Sequence, residues 1–169
     1  MVWQETFGTV FARDRGGFDC GEPDLNEFLR KYAAQNARKK LSTTFVAVEP
    51  GSSEVLGSYS IFSGQVACKD LSDEQRAGLP GYPVPVVKLA RVATDRRVQR
   101  QGVGRFLLVD ALRRSLALSE MLGIHAVEVD ASTPAARVFY LNLGFRPLQD
   151  DPLHLYIALK TVAKLFPAE

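Results

Sequence analysis

Apolar residues recur at two spacings along this chain, every second position in some stretches and every third or fourth in others. Residues Thr6 to Ala12 alternate and predict a first strand, which Gly16-Gly17 interrupt. Leu25, Phe28, Leu29, Tyr32 and Ala33 follow helical spacing and predict one buried helix face. Pro23 suits the first turn of that helix, the acids around it suit the positive end of the dipole, and Asn36-Ala37-Arg38-Lys39-Lys40 brings cations to the other end. Thr43 to Glu49 and Val55 to Val66 read as two strands of a hairpin about Pro50-Gly51-Ser52-Ser53. Lys69 to Pro85 is a connecting region broken by glycine and proline, with one helical turn expected at Ser72 to Arg76 and a place in the wall of a cleft.

The second half begins with an apolar strand ending near Thr94, a turn rich in arginine, two glycines, and a helix expected over Gly104 to Leu122. Leu107, Leu108, Ala111, Leu112 and Leu116 form its buried stripe, with Arg105, Asp110, Arg113 and Arg114 off it. His125 to Ala131 predicts a strand, and Ser132-Thr133-Pro134 a capped helix running to about Leu143 and stopping at Gly144. Phe145 to Leu148 and Leu153 to Leu159 supply the last strands, divided by Asp150-Asp151-Pro152. This order predicts an α/β sheet with helices on both faces, and the helix joining the two central strands makes that pair parallel. A ligand then belongs outside their C-terminal ends.

The stretch Gln99-Arg100-Gln101-Gly102-Val103-Gly104 carries the first chemistry. A glycine turn opening a helix gathers backbone N–H groups that have no intrahelical partner and can bind phosphate oxygens. Without a Cβ, Gly102 and Gly104 allow a pyrophosphate close approach, and Arg96, Arg97, Arg100 and Arg105 add charge around it. The stretch lacks the Lys-Ser or Lys-Thr of a P-loop and the third glycine of a dinucleotide fingerprint. Alone, it reads equally as a glycine turn before a surface helix.

Composition narrows the class without choosing a function. The 169 residues fit one domain, and 46% hydrophobic content is that of a globular protein. No apolar run approaches the ~20 residues of a membrane span, and Met1 to Glu5 lacks the basic flank and apolar core of a signal peptide. Two cysteines, Cys20 and Cys68, are too few for a disulfide framework, which points to the cytoplasm. A net charge of +2 does not by itself argue for nucleic acid, yet Arg30, Lys31, Arg38, Lys39 and Lys40 cluster early and Arg91 to Arg114 cluster centrally.

The glycine loop resembles the Gln/Arg-x-x-Gly-x-Gly/Ala signature of the GCN5-related N-acetyltransferases (GNAT). Ala135-Ala136-Arg137-Val138-Phe139-Tyr140-Leu141-Asn142-Leu143-Gly144-Phe145 resembles that superfamily's other hallmark, after the long helix and one strand. The resemblance covers essentially all of residues 1–169 as a single acetyltransferase domain. It implies a mixed, mostly antiparallel sheet with two parallel strands that splay apart, and acetyl-coenzyme A as cofactor, with no metal. Val92, Ala93 and Thr94 would hold the pantetheine arm, and Gln99, Arg100, Gln101, Gly102, Val103, Gly104 and Arg105 the pyrophosphate. Ser132 and Phe139 would line the other side, and Tyr140 would be the general acid for the leaving thiolate, a proton transfer its ordinary pKa of ~10 permits.

Phe18 to Leu29, Tyr32 to Asn36, Phe45 to Val48 and Leu89 to Ala93 further resemble the toxin acetyltransferases of bacterial toxin–antitoxin pairs. That branch implies the α-amine of aminoacyl-tRNA as acceptor, a ribbon–helix–helix antitoxin as partner, and a homodimer. Arg30, Lys31, Arg38, Lys39, Lys40 and Arg91 are the candidate tRNA contacts, since phosphates attract such a patch. An α-amine of pKa ~8 needs no strong base. His125 and His154 read as structural, and Glu128 and Asp130 as exposed strand-end carboxylates that could act through water. A small amine or protein amine as acceptor, or a module that binds acetyl-coenzyme A or its antitoxin without turnover, are the rival readings.

Overall fold

The computed structural model describes residues 7–11 and 13–167. Strands run in the order β1-β2-β3-β4-β5-β7-β6. They are β1 (Phe7–Thr9), β2 (Thr43–Val48), β3 (Val55–Val66), β4 (Val84–Thr94), β5 (Ala126–Asp130), β6 (Arg146–Pro147) and β7 (His154–Ala158). β4 and β5 are parallel, while β1–β2, β2–β3, β5–β7 and β6–β7 are antiparallel. The expected hairpin and parallel pair are both present. The ends of the expected first strand, Thr6 and Ala12, and the stretch Met1 to Glu5 lie outside the described residues.

The chain divides into two compact units. The first, residues 1–62 and 90–111, contains β1, β2, α1 (Pro23–Glu27), α2 (Ala33–Arg38) and the start of α4 (Val103–Leu118). Pro23 occupies the first turn of α1, where its missing N–H costs nothing. Between α1 and α2 lies a π turn, Phe28–Tyr32, in which Ala33 N–H donates to Phe28 O five residues back. The wider turn advances the helix phase, so Ala33 and Ala34 follow Phe28 and Leu29 into the core. Tyr32, expected on that face, is therefore exposed. Val10, Phe18, Val46, Val48, Val55 and Ala93 complete this core. A Cβ on Gly57 of β3 would sit 3.0 Å from both Val103 and Leu107, so a glycine is what lets the start of α4 pack on the strand.

The second unit, residues 63–89 and 112–169, contains β5, β6, β7, α3 (Asp73–Arg76), α5 (Pro134–Asn142) and α6 (Leu159–Leu165). The expected turn at Ser72 is α3, closed by a capping box between Ser72 and Gln75. Thr133 caps α5 by accepting from Ala136 N–H, with Pro134 at its first position. Val66, Leu71, Val84, Val86, Ala126, Leu148 and Tyr156 form its core.

Two boundaries and one buried stripe differ from the sequence expectation. The long helix ends at Leu118, not Leu122, because residues 119–122 turn back onto the carbonyls of Ser115, Ala117 and Leu118. Its stripe places Ser115 in the interior and leaves Leu116 half-buried. The last strand stops at Ala158, and Leu159 begins α6 instead of ending β7.

Candidate active site

The loop after β4 is built on a carboxylate that the sequence reading missed. Asp95, 1% exposed, caps the short turn Arg96–Val98 by accepting from Arg97 N–H at 2.9 Å. It also accepts from Asp19 N–H at 3.1 Å and from Arg97 Nε and Nη2 at 2.8 and 3.0 Å. Burial disfavours its charge, but these donors outweigh burial and hold the carboxyl below its ordinary value. Arg97 is also paired with Glu54 at 2.5 Å. Arg97, expected to offer its charge to a phosphate, thus works inside the protein, and Asp95 sets the loop's path. An Asp after a strand and before Arg-Arg is the signal, since Asp accepts from its own backbone two residues on.

Gln99 is likewise turned inward, Nε2 donating to Cys20 O and Thr94 O, each at 3.1 Å. The chain then enters left-handed conformation at Arg100 (φ 63) and Gly102 (φ 85) before α4 starts at Val103. Val103 is buried, Gly104 half-buried, and Gln101, Gly102 and Arg105 exposed. Among the described residues no acceptor takes the amides of Gly102, Val103, Gly104 or Arg105. A Cβ on Gly102 would meet nothing within 4 Å, so the space over these amides is open. Free donors at the start of a sixteen-residue helix, with Arg105 beside them, form a site suited to a diphosphate.

Upstream of the loop, Ala93 is buried and Val92 and Thr94 half-buried. Pairing of β4 with β5 spans Val86↔Ala126 to Leu89↔Val129, although β4 runs on to Thr94. Arg91 follows that last pair at φ 54, a left-handed conformation that strains a non-glycine residue and is concentrated at functional sites.

In the second unit Ser132 is exposed, Phe139 half-buried and Tyr140 buried. The Tyr140 ring packs edge-on against Phe139 and Phe145, centroids 5.4 Å apart in each case. Burial pushes its phenol up to about 12. Glu128, expected to be exposed, is 4% exposed and accepts from Lys88 Nζ at 2.7 Å and from His154 Nε2. Lys88 also donates to Asp130 at 2.9 Å. The expected alternatives for a base are therefore neutralised by neighbouring cations. His125 packs beside Tyr156, and burial lowers its pKa. Residues Ser72, Gln75 and Leu79 of the connecting region line a hollow of about 600 Å³ with His125, Tyr156 and Lys160.

The candidate tRNA contacts all fall in the first unit. Arg30 donates to Phe18 O, Lys31 pairs with Glu27 at 3.2 Å, and the Arg38 guanidinium covers the Phe11 ring at 5.3 Å. Lys39 and Lys40 are exposed where α2 ends, Lys40 in left-handed conformation at φ 61.

Residues 40–147 match the family model of the acetyltransferase (GNAT) domain. The chain belongs to the GNAT acetyltransferases. Over 154 residues, 91% of each chain, it is 38% identical to a "tRNA-acetylating toxin" of Mycobacterium tuberculosis. It is also similar to AtaT complexed with acetyl-methionyl-tRNAfMet, at 30% identity and a TM-score of 0.88 over 95% of this chain and 98% of that one. A tyrosine-to-phenylalanine mutant of AtaT, bound to the C-terminus of the antitoxin AtaR and acetyl-CoA, matches at 29% identity and a TM-score of 0.79 over 96% and 98%.

Proposed function

We propose that this chain transfers the acetyl group of acetyl-coenzyme A to the α-amine of an aminoacyl-tRNA, and that it is the toxin of a toxin–antitoxin pair. The observation that carries the reading is the likeness, over nearly the whole chain, to AtaT in complex with an acetylated aminoacyl-tRNA. The open amides of Gly102 to Arg105 fit the cofactor's diphosphate, and Val92 to Thr94, where β4 runs on past its last pair with β5, are the stretch assigned to its arm. When bound, acetyl-coenzyme A supplies an activated acetyl thioester. Ser132 and Phe139 flank the arm, and Tyr140 holds the proton that the sulfur receives as its bond to the acetyl carbon breaks. The amine's own proton goes to solvent, because an α-amine of pKa ~8 already has a substantial neutral fraction near pH 7–8. That Glu128 and His154 neutralise one another supports an acceptor needing no strong base.

The same reading takes residues 1–169 as one acetyltransferase domain, acting as a homodimer in the bacterial cytoplasm. No helix among the described residues is long and apolar enough to cross a membrane. An antitoxin of the ribbon–helix–helix type is its partner, and Arg30, Lys31, Arg38, Lys39, Lys40 and Arg91 meet the tRNA phosphates. Incubation with labelled acetyl-coenzyme A and total charged tRNA tests the activity, with deacylated tRNA as control. Label in the charged tRNA alone is the expected result; label in protein or polyamine instead overturns it.

A further inference from the structure

The connecting region, residues 69–85, has no part in acetyl transfer as proposed, yet it walls a hollow of about 600 Å³ with β7 and α6 of the same unit. That volume is in the range of small-molecule sites. Its walls are tied in place. Gln75 Nε2 of α3 donates to Pro147 O of β6 at 3.5 Å, and Gln149 N–H donates to Asp70 O at 2.8 Å. Leu159 N–H, at the start of α6, donates to His125 O at 2.9 Å.

Several polar groups around the hollow lack a partner in the protein. β6 and β7 pair in the register Arg146↔Tyr156, so both side chains stand on one face of the sheet. Lys160 and Lys164 sit one turn apart on α6 and share a helix face. All four residues line the hollow. Arg146 gives Nη1 to Phe145 O at 2.8 Å and to Leu141 O at 3.5 Å. Among the described residues no carboxylate pairs with Arg146, Lys160 or Lys164. Tyr156 is 3% exposed, and its hydroxyl is buried with no hydrogen-bond partner among the described residues. A buried hydroxyl left unpaired is costly, and a ligand that accepts from it removes the cost.

The charges select the ligand. Burial pushes the Tyr156 phenol up to about 12, so it stays a donor, and burial lowers the pKa of His125 beside it, which keeps that ring neutral. The lining then carries three cations, Arg146, Lys160 and Lys164, against one carboxylate, Glu74. A surplus of two positive charges matches a dianion. A phosphate monoester carries about −1.5 to −2 at pH 7 and three acceptor oxygens, which suits two ammonium groups, a guanidinium and a phenol. Leu79, Ile157 and Ala158 in the same lining offer an apolar body a place.

We propose that this hollow binds a small phosphate monoester with an apolar body, held by Arg146, Lys160, Lys164 and the Tyr156 hydroxyl. The site stands apart from the acetyl-transfer reading, since none of these residues is assigned to the donor or to tRNA.

The test titrates phenyl phosphate into the isotope-labelled full chain, with phenylacetate as the monoanionic counterpart and benzyl alcohol as the neutral one. The expected result is saturable amide shifts at residues 72–79 and 160–164, with a Kd below about 1 mM. Phenylacetate binds at least ten-fold more weakly, and benzyl alcohol gives no such shifts. Lys160→Glu with Lys164→Glu reverses two exposed charges and abolishes the response. Tyr156→Phe weakens phenyl phosphate binding at least five-fold while Tm stays at or above that of the unmodified chain, because the lost hydroxyl had no partner. No saturable shift, shifts confined to residues 102–105, or an equal response to either counterpart overturns the proposal. So does binding that survives the charge reversal or ignores the loss of the hydroxyl. Displacement of the probe by deacylated tRNA overturns the small-molecule site and makes this face an RNA surface instead.

Discussion

Lys88 Nζ donates to Glu128 Oε1 at 2.7 Å, and His154 Nε2 meets the same oxygen from β7. The other ring nitrogen of His154 lies 2.8 Å from Asp150 Oδ2. Both nitrogens face carboxylates, and only the imidazolium can donate to both. Burial opposes that charge, but the hydrogen bonds to Asp150 and Glu128 outweigh it and raise the histidine's pKa above its ordinary value. A group whose pKa rises on folding stabilises the fold fully below its unfolded value of ~6.5 and loses that contribution as pH climbs through the folded value. His154→Gln is therefore expected to cost about 1.5 kcal/mol or more at pH 6 and distinctly less at pH 9. Urea unfolding of both proteins at the two pH values measures it. A difference that is flat or grows with pH contradicts the charged pairing.

Tyr140→Phe separates chemistry from packing. The phenol hydroxyl has no hydrogen-bond partner among the described residues, while the ring contacts Phe139 and Phe145. Phenylalanine keeps those contacts, so the unfolding free energy should stay within about 0.5 kcal/mol. Loss of a general acid should lower kcat about 10²- to 10⁴-fold. Since burial places the phenol at about 12, the wild-type kcat should show no falling limb from this group between pH 7 and 10. Unchanged turnover would remove Tyr140 from the reaction.

Asp95→Asn tests the floor of the loop. The substitution keeps the shape but turns an NH₂ group toward donors from Asp19 and Arg97. Breaking a fully buried pair costs 3–5 kcal/mol; with Arg97 half-exposed the expected loss is about 2 kcal/mol. The KM for acetyl-coenzyme A should rise as well, because the same carboxylate fixes where Arg96 to Gln99 lie. Urea unfolding and donor saturation curves check the two effects.

The legible parts of this chain were those whose signals are local. Pro23, the Thr133-Pro134 cap and the run from Thr94 to Gly104 each announce an element within a few residues, and each formed where expected. The π turn at Phe28–Tyr32 was not legible, because a 3.6-residue period assumes that no extra residue enters a turn, and Tyr32 was misplaced as a result. Leu153 to Leu159 continues its apolar run through the last strand, which hid the start of α6. Glu128 looked exposed because its partners Lys88 and His154 are 40 and 26 residues away, beyond any local pattern. Asp95 was passed over for a related reason, since one of its donors, Asp19, comes from a different segment.

Gly102 and Gly51 give a matched pair for testing the phosphate site. Both are left-handed, at φ 85 and φ 82, and a Cβ on either meets nothing within 4 Å. Alanine at either position is expected to cost a similar amount, roughly 1–2 kcal/mol of backbone strain, with no steric clash inside the protein. Gly51 lies in the turn between β2 and β3, whereas Gly102 opens toward the amides at the start of α4. A methyl group on Gly102 occupies the space a diphosphate needs, so Gly102→Ala should weaken acetyl-coenzyme A binding at least ten-fold. Gly51→Ala should leave that affinity as it is. Calorimetric titration of both variants, beside their urea unfolding curves, separates strain from ligand exclusion. Equal losses of affinity in the two would mean that general destabilisation, not the glycine's closeness to the cofactor, governs binding.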